Sequence, residues 1–150
     1  MSGNVWEFRH SVECAAPREF VWDYWTNPAN WDDPPARFEF DGPFAAGTRL
    51  TTIQPGEKLE SVIRDVEQGN LALIEMDVAG ASVRFRWTFE SLALERTKIT
   101  QTLSLLGAVA PGMVEQAKGL EQSVPEGMKK LALSIELSWR LRLGSARTTA

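Results

Sequence analysis

Residues Leu71–Glu90, LALIEMDVAGASVRFRWTFE, form two segments of alternating apolar and polar residues on either side of Ala79-Gly80. A glycine-containing pair between two such segments is typical of a two-residue hairpin turn. Folding about this turn makes one face wholly apolar, with the opposed pairs Val78 and Ala81, Met76 and Val83, Ile74 and Phe85, and Ala72 and Trp87. The same register sets Glu75 opposite Arg84 on the other face. We therefore predict two antiparallel strands joined at this turn.

Five segments outside the hairpin are also predicted to be strands. Apolar residues alternate along them, or turn residues bound them on both sides. They are residues 5–14, 37–41, 48–53, 59–66 and 97–106. Apolar residues lie on both faces of the third and fourth of these segments, so their facing stays open.

Helical spacing replaces alternation in two parts of the chain. A short helix follows the first strand, because Pro17 suits a first helical turn and the next apolar residues form one stripe. A loop or a further helical turn spans residues 29–35. The pattern is helical again from 113 to about 143. Pro125 interrupts it, and a capping box at Ser123–Glu126 could restart the helix, so one kinked helix and two collinear helices both stay open.

The composition suits one globular domain. The chain has 150 residues, of which 43% are hydrophobic and 24% charged. We expect residues 1–150 to form a single domain, with an ordered core of about 4–143 and a flexible tail at 144–150. One cysteine and one histidine exclude an internal disulfide and clusters of those residues around a metal. An oxygen-only site built from Asp and Glu stays open, although the sequence has no spaced acidic loop like that of a calcium hand. We expect no metal and no cofactor.

Charge and hydropathy narrow the expected partners. The net charge of −4 disfavours nucleic acid and anionic membranes, since both bind proteins through lysine and arginine. We find neither a basic leader nor an apolar run long enough to span a bilayer. We therefore expect a cytoplasmic protein without nucleic-acid binding or membrane insertion, as a monomer or weak homodimer.

The predicted element order is a strand, two short helices, six strands and a long C-terminal helix. It predicts an α+β protein in which the helix covers the apolar face of the sheet. In this order and spacing the sequence resembles the START/Bet v 1-like (SRPBCC) superfamily, and within it the polyketide cyclase/dehydrase-type group. The resemblance covers about residues 4–140 and is carried by Ala16–Trp22, Asn27-Pro28, Trp31, Gly42–Thr48, Trp87–Glu90, Thr97–Thr100 and Leu120–Leu131.

The resemblance implies a helix-grip fold. In that fold a curved antiparallel β-sheet of about seven strands wraps around a long C-terminal α-helix, with two short helices after strand 1. A mostly apolar cavity lies between the sheet and the helix. Members bind lipids, polyketides, hormones or aromatic metabolites, and some are enzymes. The superfamily has no universal catalytic residue, so none is transferred to this chain.

Two polar residues are predicted to face this cavity. His10 shares a strand face with apolar residues, and could be a polar anchor, an acid/base, or a buried histidine with a structural hydrogen bond. Gln101 lies on the apolar face of the last strand and needs a partner, which could be the backbone, His10, water or a ligand. Core packing is the alternative for the apolar candidates. The predicted ligand-binding residues are His10, Trp25, Phe38, Phe40, Met76, Phe85, Trp87, Gln101, Val124 and Met128.

Three functions remain open from the sequence. The first is binding of a hydrophobic or aromatic small molecule, such as a lipid, a polyketide or a similar metabolite, in a cavity of about 300 Å³ or more. The second is a polyketide cyclase/dehydratase-type enzyme with His10 as a weak catalytic candidate for the acid/base. The third is a protein-interaction module of the co-chaperone-activator type, which needs an exposed apolar patch. Asp32-Asp33 could form an acidic rim at the cavity mouth or a solvated loop.

Overall fold

A seven-stranded sheet and one long helix make up most of the protein. A computed structural model describes residues 4–148, and the side chains through Gly144. The strands are β1 (Asn4–Cys14), β2 (Arg37–Phe40), β3 (Arg49–Gln54), β4 (Glu57–Glu67), β5 (Leu71–Val78), β6 (Ala81–Ala93) and β7 (Arg96–Leu106). The helices are α1 (Arg18–Trp25), α2 (Val114–Lys118) and α3 (Leu120–Thr148), with 3₁₀ turns at Pro28–Asn30 and Ala110–Met113.

All neighbouring strands of the sheet are antiparallel, in the order β1-β7-β6-β5-β4-β3-β2. The two short helical segments, α1 and the first 3₁₀ turn, follow β1. The long helix α3 ends the described chain and packs on the sheet. The predicted α+β helix-grip fold is therefore confirmed.

The hairpin at the centre of the prediction has the expected register. All four predicted apolar pairs are partners between β5 and β6, and Glu75 lies opposite Arg84. Both turn residues have positive φ, 48° at Ala79 and 90° at Gly80. A two-residue turn of type I′ requires this conformation at both positions, and its twist matches that of the strands. The turn therefore fixes the register on which the inner face depends.

A β-bulge explains why the facing of β3 and β4 could not be predicted. The bulge lies between Ile63 and Asp65 in the pairing of β4 with β5. It adds one residue, so that Ile63 and Val66, three positions apart, both face the core. Beyond the bulge, Leu50 of β3 lies opposite Ser61, and both are buried. A strict period of two across β4 would place Ile63 and Val66 on opposite faces.

The helix break lies at Gly119, and not at Pro125. Gly119 separates α2 from α3, and α3 continues through Pro125. Of the two alternatives left open at Pro125, the structure has one helix that continues through the proline, without a restart at Ser123. Pro125 is the sixth residue of α3, where it removes one i→i−4 backbone hydrogen bond. The helix runs to Thr148, past the predicted end at Leu143, and residues 149–150 of the predicted tail lie outside the described residues.

One face of α3 closes the core against the sheet. Met128, Ala132 and Ile135 are each no more than 5% exposed. The Cys14 thiol of β1 contacts the Ala132 carbonyl oxygen at 3.5 Å. Burial, and secondarily the Glu136 carboxylate, raises the pKa of Cys14 to about 12, so the thiol stays neutral.

Within residues 4–148, no helix combines the length and hydropathy of a bilayer-spanning segment.

A charged triad lies on the outer face of the sheet. The Glu75 carboxylate accepts hydrogen bonds from Arg84 at 2.8 Å and from Arg64 at 3.0 Å. The Arg84 hydrogen bond, followed by the interactions with Arg64, lowers the pKa of Glu75 although partial burial opposes this shift. The predicted pair with Arg84 is present, and β4 adds a second arginine to it.

We predict that Glu75→Gln lowers the free energy of unfolding by about 1 kcal/mol at neutral pH. A carboxylate with a lowered pKa stabilises the protein fully above its ordinary pKa of about 4.3. That stabilisation is lost as the pH falls through the lowered pKa. Urea unfolding should therefore show a deficit at neutral pH that disappears in acid. Glu39→Gln is the matched control, since Glu39 and its partner Arg37 are both 64% exposed. A Glu75→Gln deficit of equal size in acid would contradict this account.

Candidate functional site

A cavity of about 290 Å³ opens between α3 and the segment that links α1 to β2. We call it the aromatic groove. Its wall is formed by the aromatic residues Tyr24, Trp25, Trp31, Phe38 and Trp87. Its rim is formed by the polar residues Asn30, Asp32, Asp33, Lys130 and Ser134, and Gly127 and Leu131 of α3 complete the lining.

Trp25 is the centre of the aromatic wall. It is 3% exposed, and its ring centroid lies 4.9 Å from that of Trp87 and 5.4 Å from that of Trp31. Phe44 packs edge-on against it at 5.0 Å. These separations are typical of favourable aromatic pairs, which prefer tilted or edge-to-face geometry. The wall is therefore a packed cluster whose outer rings border the groove.

The chain after α1 turns back so that Trp31 packs on Trp25. The Thr26 hydroxyl donates to the Trp22 carbonyl at 2.8 Å where α1 ends. The Asn27 side chain then accepts from the Ala29 amide at 3.1 Å and caps the 3₁₀ turn that begins at Pro28. The Trp31 indole N–H donates to the Trp25 carbonyl oxygen. Local capping therefore positions two of the groove tryptophans.

The rim carries charges of both signs. Lys130 of α3 pairs with Asp33 at 2.9 Å and so connects the helix to the loop that precedes β2. Asp32 accepts a hydrogen bond from the Phe38 amide at 3.0 Å. Both partners of the Lys130 pair are more than 60% exposed, and such a pair contributes at most about 1 kcal/mol. Of the two alternatives for Asp32-Asp33, a rim and a solvated loop, both descriptions apply, since the two residues are exposed and also border the groove, where Lys130 partly neutralises them.

Three of the predicted ligand-binding residues line the groove, namely Trp25, Phe38 and Trp87. Phe40 lies behind this wall, in contact with Trp31. Met128 is buried in the core at 2% exposure. The other apolar candidates pack against buried core residues and are not part of the groove wall. They are Met76, Phe85 and Val124. Ligand contact by these residues stays a prediction.

The two polar candidates lie side by side on the inner face of the sheet. His10 of β1 is the register partner of Gln101 of β7, and Trp87 is the partner of Gln101 on the other side. His10 is half-buried and Gln101 is 6% exposed. The histidine and the glutamine are therefore neighbours of the groove wall without being part of the lining described above.

Sequence reasoning did not predict the α3 side of the groove. Gly127, Leu131 and Ser134 lie four and three residues apart, so they share one helix edge. A Cβ atom added at Gly127 would meet no atom within 4 Å. Small residues on the edge of an otherwise apolar stripe are the signal that could have located the void.

Among residues 4–148, no three His, Cys, Asp or Glu side chains are grouped so that they could hold a metal ion.

Comparisons with known proteins find likeness at the level of structure. No protein-family model and no curated protein matches the sequence. A norcoclaurine synthase from Thalictrum flavum, solved with dopamine and hydroxybenzaldehyde, superposes with a TM-score of 0.71 and 18% identity, over 91% of this chain and 89% of that one. Ara h 8.0201 superposes with a TM-score of 0.63 and 15% identity, over 89% and 98%.

A third similar structure is DynU16, a protein of the dynemicin biosynthetic locus. It superposes with a TM-score of 0.69 and 20% identity, over 89% of this chain and 48% of that chain. Identities this low carry information on the fold alone, and not on activity. The chain therefore shares the fold of these proteins, which is the helix-grip fold that the sequence resemblance implied.

Proposed function

We propose that this protein binds a small apolar or aromatic molecule, such as a lipid fragment, a polyketide or a similar metabolite, in the aromatic groove. The observation that carries the proposal is a concave wall of three indoles that stays open beside α3. Pockets of this kind, mostly apolar with a few polar groups at the edge, are typical of small-molecule sites. The volume of about 290 Å³ lies just below the range of about 300–1,000 Å³ for such sites, which favours a compact ligand of about two fused rings.

The energetics of the wall support the same proposal. A ligand that covers the exposed faces of Trp31 and Phe38 removes apolar surface from water, which contributes about 25 cal/mol per Å². The rings are already packed against each other, so little side-chain freedom is lost on binding. The norcoclaurine synthase structure, solved with two aromatic compounds, supports the view that this fold can hold such molecules.

The alternative functions have less support. His10, the weak candidate for an acid/base, lies outside the groove lining. An interaction module needs an exposed apolar patch, and the exposed leucines of α3 form only a narrow stripe of Leu133, Leu137 and Leu141. A cytoplasmic location and a monomer or weak homodimer stay predictions from the sequence.

We predict that Gly127→Phe blocks ligand binding without loss of stability. Its side chain would project from α3 into the groove, where the added Cβ meets open space. Phenylalanine also has a higher helix propensity than glycine, so α3 is not weakened. N-phenyl-1-naphthylamine, whose fluorescence rises in apolar sites, serves as the probe. Its Kd should rise about tenfold or more, which corresponds to about 1.4 kcal/mol.

Gly144→Phe is the matched control for this experiment. It makes the same change on the same helix, also into open space, but outside the groove lining. We expect the control to bind the probe as the wild type does. Equal affinity in the wild type and in Gly127→Phe would contradict the proposed function, as would a wild type that binds no probe.

A further inference from the structure

We propose that Gln101, with His10 beside it, is a hydrogen-bonding subsite at the inner side of the aromatic groove. It would bind a neutral hydroxyl or carbonyl group on the ligand. The inference deepens the proposed function and rests on it, since it specifies which apolar molecules the groove selects.

The position of Gln101 follows from the strand register. Its neighbours at alternate positions, Ile99 and Leu103, are completely buried, so its side chain points to the face that α3 covers. Trp87, a wall residue of the groove, lies directly opposite on β6. Opposed residues of an antiparallel pair have Cβ atoms about 4.5–5.5 Å apart. The Gln101 amide therefore lies beside the indole that forms part of the groove wall.

The Gln101 amide has no hydrogen-bond partner in the described part of the chain, although the residue is only 6% exposed. Nor does the side chain of His10, its neighbour on β1, make a hydrogen bond there. Every described side-chain N or O atom that is fully enclosed does have a partner. The amide atoms of Gln101 must therefore border space that a water molecule or a ligand group can enter.

A second polar residue on the inner face of the same strand shows the contrast. The Thr97 hydroxyl is completely buried and donates to the Ala16 carbonyl oxygen at 2.8 Å. Buried polar side chains are normally satisfied in this way, because an unpaired one costs stability. Thr97 thus has a partner within the fold, and the Gln101 amide has none among the side chains and backbone of residues 4–144. An amide kept in an apolar wall without a partner is expected where a ligand completes its hydrogen bonds.

The chemistry of the two side chains limits the ligand group. An amide offers both a donor and an acceptor, and so does a neutral imidazole. The inner-face neighbours Ile99, Leu103 and Trp87 carry no charge, so an ionised group would be desolvated there without a counter-ion. A neutral hydroxyl or carbonyl suits this environment better than a carboxylate or an ammonium. The selected molecule is therefore apolar along the indoles and carries one such group at its buried edge.

The test compares naphthalene with 2-naphthol, which adds one hydroxyl to the same ring system. By calorimetric titration, the wild type should bind 2-naphthol about threefold to tenfold more tightly than naphthalene. Gln101→Leu should abolish this preference and keep the affinity for naphthalene. Gln101→Met, which keeps the length of the side chain without the amide, should behave in the same way. Thr102→Val, on the outer face of the same strand, should keep the preference.

Stability provides a second readout. Because the amide has no protein partner among the described residues, Gln101→Leu removes no hydrogen bond within the fold and should unfold at the same urea concentration as the wild type or at a higher one. A preference for 2-naphthol that survives both Gln101 variants would overturn the subsite. So would a loss of stability in both variants, which would indicate a structural role for the amide. If the wild type binds neither compound, the proposed function itself fails.

Discussion

The groove depends on how one helix covers the apolar face of the sheet. The turn at Ala79-Gly80 fixes the register of the central hairpin, and with it the side chains that α3 must meet. Along its inner face α3 buries Met128, Ala132 and Ile135 against the sheet. At Gly127 and Ser134 the helix provides too little volume to reach the indoles opposite. Because close packing cannot be completed at this edge, the sheet and the helix leave a void lined by aromatic rings.

The tryptophans of the chain divide between structure and proposed function. Two tryptophans connect the sheet to α3 through their indole N–H groups. Trp6 of β1 donates to Glu121 of α3 at 2.8 Å, and Trp139 of α3 donates to Glu95, between β6 and β7, at 3.1 Å. Trp25 belongs to both groups, because it is buried in the core and forms the centre of the groove wall. The stability of the fold and the shape of the site are therefore coupled through this side chain. A substitution at this position would change both.

The predictable and unpredictable features of the chain have different physical origins. The hairpin register follows from the sequence because a single register places the apolar residues on one face of the hairpin and pairs opposite charges on the other face. The facing of β4 does not, because a single bulge residue shifts the alternation. The break at Gly119 was missed because Pro125 is the stronger helix-breaking signal, although α3 continues through it. The α3 side of the groove was missed because a void reflects missing volume, which no apolar pattern displays. The aromatic side, with Trp25, Phe38 and Trp87, was predicted because inward-facing rings follow from the periodicity.

The proposed uptake of small apolar molecules by the aromatic groove can be followed at the tryptophans of the chain. The six indole N–H groups give one signal each in a proton–nitrogen correlation spectrum, so they report on every tryptophan separately. Titration with naphthalene should shift the signals of Trp25, Trp31 and Trp87 in a saturable manner. The signals of Trp6 and Trp139, which lie outside the groove, should remain in place. Unchanged signals throughout, or equal shifts at all six tryptophans, would contradict the account.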